Sequence, residues 1–292
     1  MSSQERDLEL EGVRLRVREA GGVDGEAVIH FHGTPGSRLE LAWADEVVVA
    51  AGARIVAFDR PGYGASTQVP FSLRSVARLA LQAADLLGLD QFRTLGWSGG
   101  GPFALATAAT APERVLAAGV IAGAGPFQLV PDALDHLSNI DKAAESLLPG
   151  DPEGAAAKFT EGFDMAAALT SESVLFEMFE PMLGEWDRAQ WKDKDHSQAV
   201  LADLREAMRV GVWGCAWDNV AWIGAWDFDP TTVRCPVLLW YGSEDRMAPP
   251  AHARWFDENL PTAKLTMRQG EGHLLAFAHL PEILGELLAA HI

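Results

Sequence analysis

Gly96-Trp97-Ser98-Gly99-Gly100 fits the pattern G-x-S-x-G. A bare match means little, because glycine is common and a serine hydroxyl is a poor nucleophile until a base takes its proton. The flanking sequence gives the match weight. An apolar run, Phe92-Arg93-Thr94-Leu95, leads in, and a helix-forming run from Phe103 to Ala109 leads out. A strand, a sharp turn and a helix make up the setting in which such a serine is lifted above a sheet. The turn is too tight for side chains two positions either side of the serine, which accounts for glycine at 96 and 100. The helix that follows would aim its positive N-terminus at the reacting centre.

The serine needs a base, the base an acid, and the transition state a pair of oxyanion donors. Of the eight histidines, His273 stands apart. It follows Gly270-Glu271-Gly272 directly after the last expected strand, where groups of open α/β sheets that bind and react gather. His32, beside a strand end, is expected to be a structural hydrogen-bonding residue rather than a second base. The acid is expected after the buried strand Leu238-Leu239-Trp240-Tyr241-Gly242, where Ser243-Glu244-Asp245-Arg246 follows. Asp245 or Glu244 could serve, and Asp245 is the expected one. The Gly99 N–H is the first expected oxyanion donor. The second is the Thr34 N–H, in His30-Phe31-His32-Gly33-Thr34-Pro35-Gly36, where Gly33 permits a sharp turn and Pro35 stiffens the loop.

The order Ser98, Asp245, His273 resembles that of the α/β-hydrolase superfamily, and specifically its cap-bearing serine hydrolases of esterase and lactonase type. His32-Gly33-Thr34-Pro35-Gly36 looks like the family's oxyanion loop. Asp59-Arg60-Pro61-Gly62-Tyr63-Gly64-Ala65-Ser66 looks like its D-x-x-G-x-G-x-S loop. The likeness spans nearly the whole chain. Prolyl aminopeptidases of the superfamily usually carry glycine at the Thr34 position and a bulkier residue at the Gly99 position, so the chain departs from them. Haloalkane dehalogenases and epoxide hydrolases use an aspartate nucleophile where this chain has Ser98. The resemblance implies a carboxylic-ester or lactone hydrolase working through an acyl-enzyme. Amide, peptide or carbon–carbon bond hydrolysis uses nearly the same constellation. A ligand-binding receptor on a hydrolase scaffold is the alternative from another class.

The elements that must carry these residues are legible from the pattern of apolar residues. Val13, Leu15 and Val17 alternate with arginines, as in a half-exposed antiparallel strand, and Leu8–Glu11 is expected to pair with it through Glu11-Gly12. Residues 27–31, 53–58, 92–96, 115–121 and 236–241 are short apolar runs separated by helical stretches at 39–51, 73–87, 102–109 and 252–260. Buried strands alternating with helices predict an α/β fold, a mostly parallel sheet flanked by helices. The strand at 264–268 suits an edge. Residues 126–228 hold no strand pattern and read as an inserted helical cap, leaving 1–125 and 229–292 as the core. The cap carries 19 acidic and 7 basic residues and six of the ten tryptophans. Trp213 and Trp217 are four apart, as are Trp222 and Trp226, so each pair can share a helix face. With Trp97 they could wall an aromatic tunnel over Ser98, suited to a bulky, neutral, apolar substrate. A substrate with a free amine would instead want a carboxylate facing the site, for which Glu177, Glu180, Glu185 and Asp187 are candidates.

The rest of the sequence narrows the partners. A chain of 292 residues can bury roughly 75% of its unfolded surface without a metal or disulfide staple. Two cysteines, Cys215 and Cys235, make neither a disulfide framework nor a zinc cluster. The net charge of −18 repels phosphate backbones and anionic lipid, so neither nucleic acid nor membrane is an expected partner. The uncharged run 94–112 is interrupted by glycines and prolines and reads as strand, turn and helix rather than a membrane span. No signal peptide is evident, and a cytoplasmic location is expected. There is no H-E-x-x-H and no P-loop, and neither a metal nor an organic cofactor is implied. The expected partner is a small-molecule substrate; monomer and homodimer both remain open.

Overall fold

The computed structural model describes residues 3–162 and 168–291. Eight strands, β1 (Gln4–Leu10), β2 (Val13–Gly21), β3 (Glu26–Phe31), β4 (Ala53–Phe58), β5 (Phe92–Trp97), β6 (Val115–Ile121), β7 (Val237–Gly242) and β8 (Ala263–Arg268), form one sheet. Their order is β1-β2-β4-β3-β5-β6-β7-β8. β2 runs antiparallel to both β1 and β4, and every other neighbouring pair is parallel. The first turn falls at Glu11-Gly12, both in the left-handed region (φ 49° and 88°). The parallel strands β5 and β7 are buried along their whole length, as strands covered on both faces must be.

Helices α1 (Asp45–Ala50), α2 (Leu73–Leu86) and α3 (Gly101–Thr110) lie between the first six strands. α4 (Asn139–Glu145), α5 (Pro152–Thr160), α6 (Glu172–Phe179), α7 (Glu185–Trp191), α8 (Lys194–Ala207) and α9 (Trp213–Ile223) lie between β6 and β7. α10 (Pro250–Asn259) and α11 (Leu275–Ala289) complete the chain. One face of the sheet packs against α2, α3 and α10, the other against α1 and α11. α2 shows why. Its buried Val76, Ala77, Ala80, Ala83 and Ala84 recur at helical spacing, and Ser72 caps its first turn by accepting from the Ser75 N–H.

The helix expected over 39–51 is shorter than its pattern suggests, starting only at Asp45 after a single 3₁₀ turn. The physical reason lies in residues 37–40, whose side chains and amides are held by distant partners. The Ser37 N–H donates to Asp203, the Arg38 N–H to Asp59, and Glu40 accepts from the Gly33 N–H. Between β6 and β7 the described residues contain helices and turns and no strand. No helix among the described residues is long and apolar enough to cross a membrane.

Candidate active site

Ser98 follows the last residue of β5 and has φ of 54°, in the left-handed region that a side chain rarely adopts. The glycines make this turn possible. A Cβ on Gly96 would lie 2.4 Å from the Gly100 carbonyl oxygen, and one on Gly100 would lie 2.0 Å from the Phe31 carbonyl oxygen. α3 begins three residues later, with Pro102 in its first turn.

His273 lies on the loop after β8 and Asp245 on the loop after β7, both at the carboxyl ends of parallel strands. The His273 Nδ1 and an Asp245 carboxylate oxygen are 2.8 Å apart, and both side chains are buried. The other Asp245 oxygen accepts from the Met247 and Ala248 N–H groups, each at 2.8 Å. The carboxylate is thus fixed on both sides, and Glu244 turns to solvent. The His273 carbonyl accepts from the Trp97 indole N–H at 3.2 Å, which ties the histidine loop to the residue before Ser98. Burial pushes the His273 pKa down, but the Asp245 charge and hydrogen bond outweigh it and leave it above 6.5.

Thr34 and Gly99 face each other. A Cβ on Gly99 would lie 3.3 Å from the Thr34 nitrogen. Neither amide donates a hydrogen bond among the described residues. Behind them, Arg60 is fully buried. Its guanidinium donates to the His32 carbonyl (2.6 Å), to the Gly33 carbonyl (3.0 Å) and to Asp218 (2.8 Å through Nε). It also lies 4.5 Å over the Phe103 ring. The Asp218 carboxylate, on α9, accepts in addition from the Thr34 hydroxyl (2.7 Å) and from the Tyr63 hydroxyl. His32 accepts at Nε2 from the Arg60 N–H (3.2 Å), so its neutral ring carries the proton on Nδ1, which donates to the Gly33 carbonyl. It is a structural residue, and burial together with the Arg60 charge pushes its pKa well below 6.5.

Two cavities meet at Ser98, and Thr34, Pro35, Phe179 and Met247 line both. The smaller, about 90 Å³, also has His273 in its wall, with Trp97, Trp191, Leu183 and Phe277. The larger, about 810 Å³, runs past Gly99 toward α10. Of the five tryptophans expected to wall a tunnel, Trp97 reaches the small cavity and Trp222 the large one. Trp213, Trp217 and Trp226 line neither. The Trp213 and Trp217 rings meet at a tilt (centroids 5.5 Å apart) and pack against Phe71, as part of the core and its margin. Trp226 lies beyond the end of α9 and stacks on Phe228, so Trp222 and Trp226 do not share a helix face. Sequence reasoning missed Trp191, Phe179 and Phe277, whose signal was only that of ordinary apolar helix positions. None of Glu177, Glu180, Glu185 and Asp187 lines either cavity; the acids that do so at the small one are Glu40 and Asp203.

A family model described as the alpha/beta hydrolase fold matches residues 26–280. The chain belongs to the alpha/beta hydrolase family. A 2-hydroxy-6-oxononadienedioate/2-hydroxy-6-oxononatrienedioate hydrolase of Burkholderia vietnamiensis is 26% identical over 281 residues, 92% of this chain and 88% of that protein. Among solved structures, an esterase from Exiguobacterium antarcticum superposes with a TM-score of 0.70 at 19% identity, over 98% of each chain. An enol-lactonase from Burkholderia xenovorans does so with a TM-score of 0.68 at 16% identity, over 97% of this chain and 98% of that one. The protein is a hydrolase enzyme.

In this alpha/beta hydrolase the helical segment between β6 and β7 is fastened to the loops around Ser98 by its three buried acids among the described residues. Asp218 holds Thr34 and Arg60, as above. Asp203, on α8, accepts from the Ser37 N–H at 2.9 Å, and burial together with the Glu40 charge pushes its pKa far up. Asp187, on α7, accepts from the Leu274 N–H at 2.9 Å, directly after His273. It lies so close to Gly272 that a Cβ there would come within 2.0 Å of its carboxylate. Burial pushes the Asp187 pKa up, opposed by the Leu274 N–H and by His273. Glu40 joins the same set, accepting from the Gly33 N–H and pairing with His30, each at 2.7 Å.

Proposed function

We propose that the protein hydrolyses a carboxylic ester or lactone through an acyl-enzyme. Ser98 attacks the carbonyl carbon while His273 takes its proton. The Gly99 and Thr34 N–H groups hold the oxyanion of the tetrahedral intermediate, and His273 then protonates the leaving alcohol. Asp245 fixes the His273 tautomer and supports its positive charge. Water, deprotonated by His273, releases the acid in a second cycle. Residues 126–228 act as a cap that shapes the two cavities. The observation that carries this reading is His273, paired with Asp245, in the wall of the cavity that Ser98 also lines. No hydrogen bond joins Ser98 to His273 here, and such bonds often tighten only when substrate arrives.

Fluorophosphonate labelling tests the nucleophile. The wild-type protein should be labelled on Ser98, and Ser98→Ala should not. Equal labelling of both would end this reading. Profiling on p-nitrophenyl esters of graded chain length beside lactones then separates the substrate types. A second reading is carbon–carbon bond hydrolysis, supported by the near full-length similarity to a 2-hydroxy-6-oxo-dienedioate hydrolase. Turnover of a compound of that type at a rate far above that of any ester would favour it. The free-amine reading loses support, because Glu40 and Asp203 are already engaged by Gly33, His30 and Ser37.

The pH dependence has a defined sign. Only neutral imidazole accepts the Ser98 proton, so activity rises with pH through the His273 pKa. That pKa lies above the ordinary 6.5, so the acid limb of kcat/KM should have its midpoint above 6.5 as well. Asp187 is one of the charges that raise it. Asp187→Asn keeps an oxygen for the Leu274 N–H and removes the charge, so the limb should move to lower pH. An unmoved limb in a folded Asp187→Asn protein would show that His273 does not feel this carboxylate.

A further inference from the structure

The large cavity holds two buried polar side chains that the proposed mechanism does not use. His252, at the start of α10, is 95% buried. Its Nδ1 accepts from the Gly125 N–H at 2.9 Å. A backbone amide can only donate, so the proton of the neutral ring must sit on Nε2. Burial pushes the His252 pKa down to about 4, so the ring stays neutral and Nε2 stays a donor at any working pH. The Nε2 has no partner among the described residues and is not sealed from the cavity. The Phe127 ring, 5.2 Å away, helps to hold the imidazole in place.

Asn219, on α9, is 94% buried and lines the same cavity. Its side-chain amide makes no hydrogen bond among the described residues. The neighbouring Asp218 faces the other way, toward Arg60 and Thr34. Buried polar side chains are normally paired, and these two have only the cavity as the side from which a partner can reach them. Two such groups from different elements, open to one cavity that reaches Ser98, imply a ligand that completes them. Both can donate, so the complementary group is an acceptor oxygen. At the outer wall Arg246 and Arg254 stand with Asp132 and Asp141, so the charges there offset one another.

We infer that the large cavity is a subsite for an oxygenated arm of the substrate, with His252 Nε2–H and the Asn219 amide donating to a carbonyl or carboxylate oxygen on that arm. This rests on the hydrolase reading above and adds to it the substrate class: a compound bearing a second oxygen function on the far side of Ser98 from the small cavity. It differs from the expectation of a neutral, apolar substrate. The cavity has room for such an arm, with about nine times the volume of the small one (about 810 against about 90 Å³).

The test uses matched esters whose chains differ only at one position, methylene, ketone or terminal carboxylate, placed in the acyl chain in one series and in the alcohol in another. In one series an oxygenated member should exceed its methylene counterpart by about 5- to 10-fold in kcat/KM, as one hydrogen bond provides. The preferred member then tells ketone from carboxylate. Asn219→Leu and His252→Phe should each erase the preference for the oxygenated member. Should His252→Phe fail to fold, Asn219→Leu alone decides. Methylene preferred in both series, or a ratio that survives in folded variants, overturns the subsite. If no ester is turned over and fluorophosphonate leaves Ser98 untouched, the hydrolase reading has failed by itself. Calorimetric binding of the matched acids to the wild-type protein then decides the subsite by the same ratio.

Discussion

Ser98→Ala is expected to lower kcat by about 10⁴- to 10⁶-fold while leaving the fold intact, and His273→Ala to do nearly the same. The losses should be alike because the proposed mechanism makes serine and histidine one unit: without the base the hydroxyl is inert, and without the hydroxyl the base has nothing to activate. Folding should be spared because Ser98 Oγ makes no hydrogen bond that the fold relies on. Alanine at 98 still has to adopt a φ of 54°, a strain the serine already bears. Asp245→Asn should cost less than Ser98→Ala, since the asparagine oxygen can still accept from Met247 and Ala248 but no longer supports the imidazolium. The measurement is single-turnover and steady-state kinetics on the best ester, with circular dichroism on each variant. A folded Ser98→Ala or His273→Ala protein that keeps more than about a tenth of the activity would remove the residue from the mechanism, given the size of the effect such units show.

What could be read from the sequence, and what could not, divides by distance along the chain. The elbow around Ser98 is a local signal, in which glycine spacing, an apolar strand and a helical run all lie within about twenty residues. That His273 and Asp245 lie on loops at strand ends was legible because each follows a strand whose pattern is itself local. The mostly parallel sheet follows the same rule, since buried apolar runs separated by helices call for parallel crossovers, whereas the strand order was not read from the sequence. The three acids that fasten the helical segment were not legible. Asp218 contacts Arg60 and Thr34 across more than 150 residues, and Asp187 meets Leu274 across 87. Asp187 and Asp203 carry the signature of ordinary solvated helix positions. Asp218 did leave a trace, since it interrupts the apolar run Cys215-Ala216-Trp217 before Val220-Ala221-Trp222. A charge with apolar neighbours on every side of a helix has to be paired, because an unpaired one is too costly to bury. The tryptophan pairs misled for a related reason. Spacing of four says that two side chains share a face while a helix lasts, and α9 ends at Ile223, before Trp226.

Asp218→Leu should be the most destabilising single change in the helical segment, by about 3–5 kcal/mol, because it leaves the fully buried Arg60 guanidinium without its counter-charge. Arg60→Met should cost a similar amount by stranding the Asp218 carboxylate. The double variant Arg60→Met/Asp218→Leu should recover part of the loss, since an apolar pair of similar volume often replaces a buried ion pair at little cost, while the His32 and Gly33 carbonyls and the Thr34 and Tyr63 hydroxyls each lose a partner. Urea unfolding of the three variants and the wild type measures this as a double-mutant cycle. The recovered double variant then separates stability from catalysis. It has no guanidinium on the His32 and Gly33 carbonyls and no carboxylate on the Thr34 hydroxyl, so nothing from α9 holds the loop that carries the Thr34 N–H. If that amide is an oxyanion donor, kcat should fall by up to about 10²- to 10³-fold, the cost of losing one such donor, while KM changes little. Labelling of Ser98 by fluorophosphonate should slow with it, since the phosphonyl oxygen uses the same donors. A stable double variant with the wild-type kcat would mean that the loop holds its own shape, and that the Asp218–Arg60 pair only joins the helical segment to the sheet.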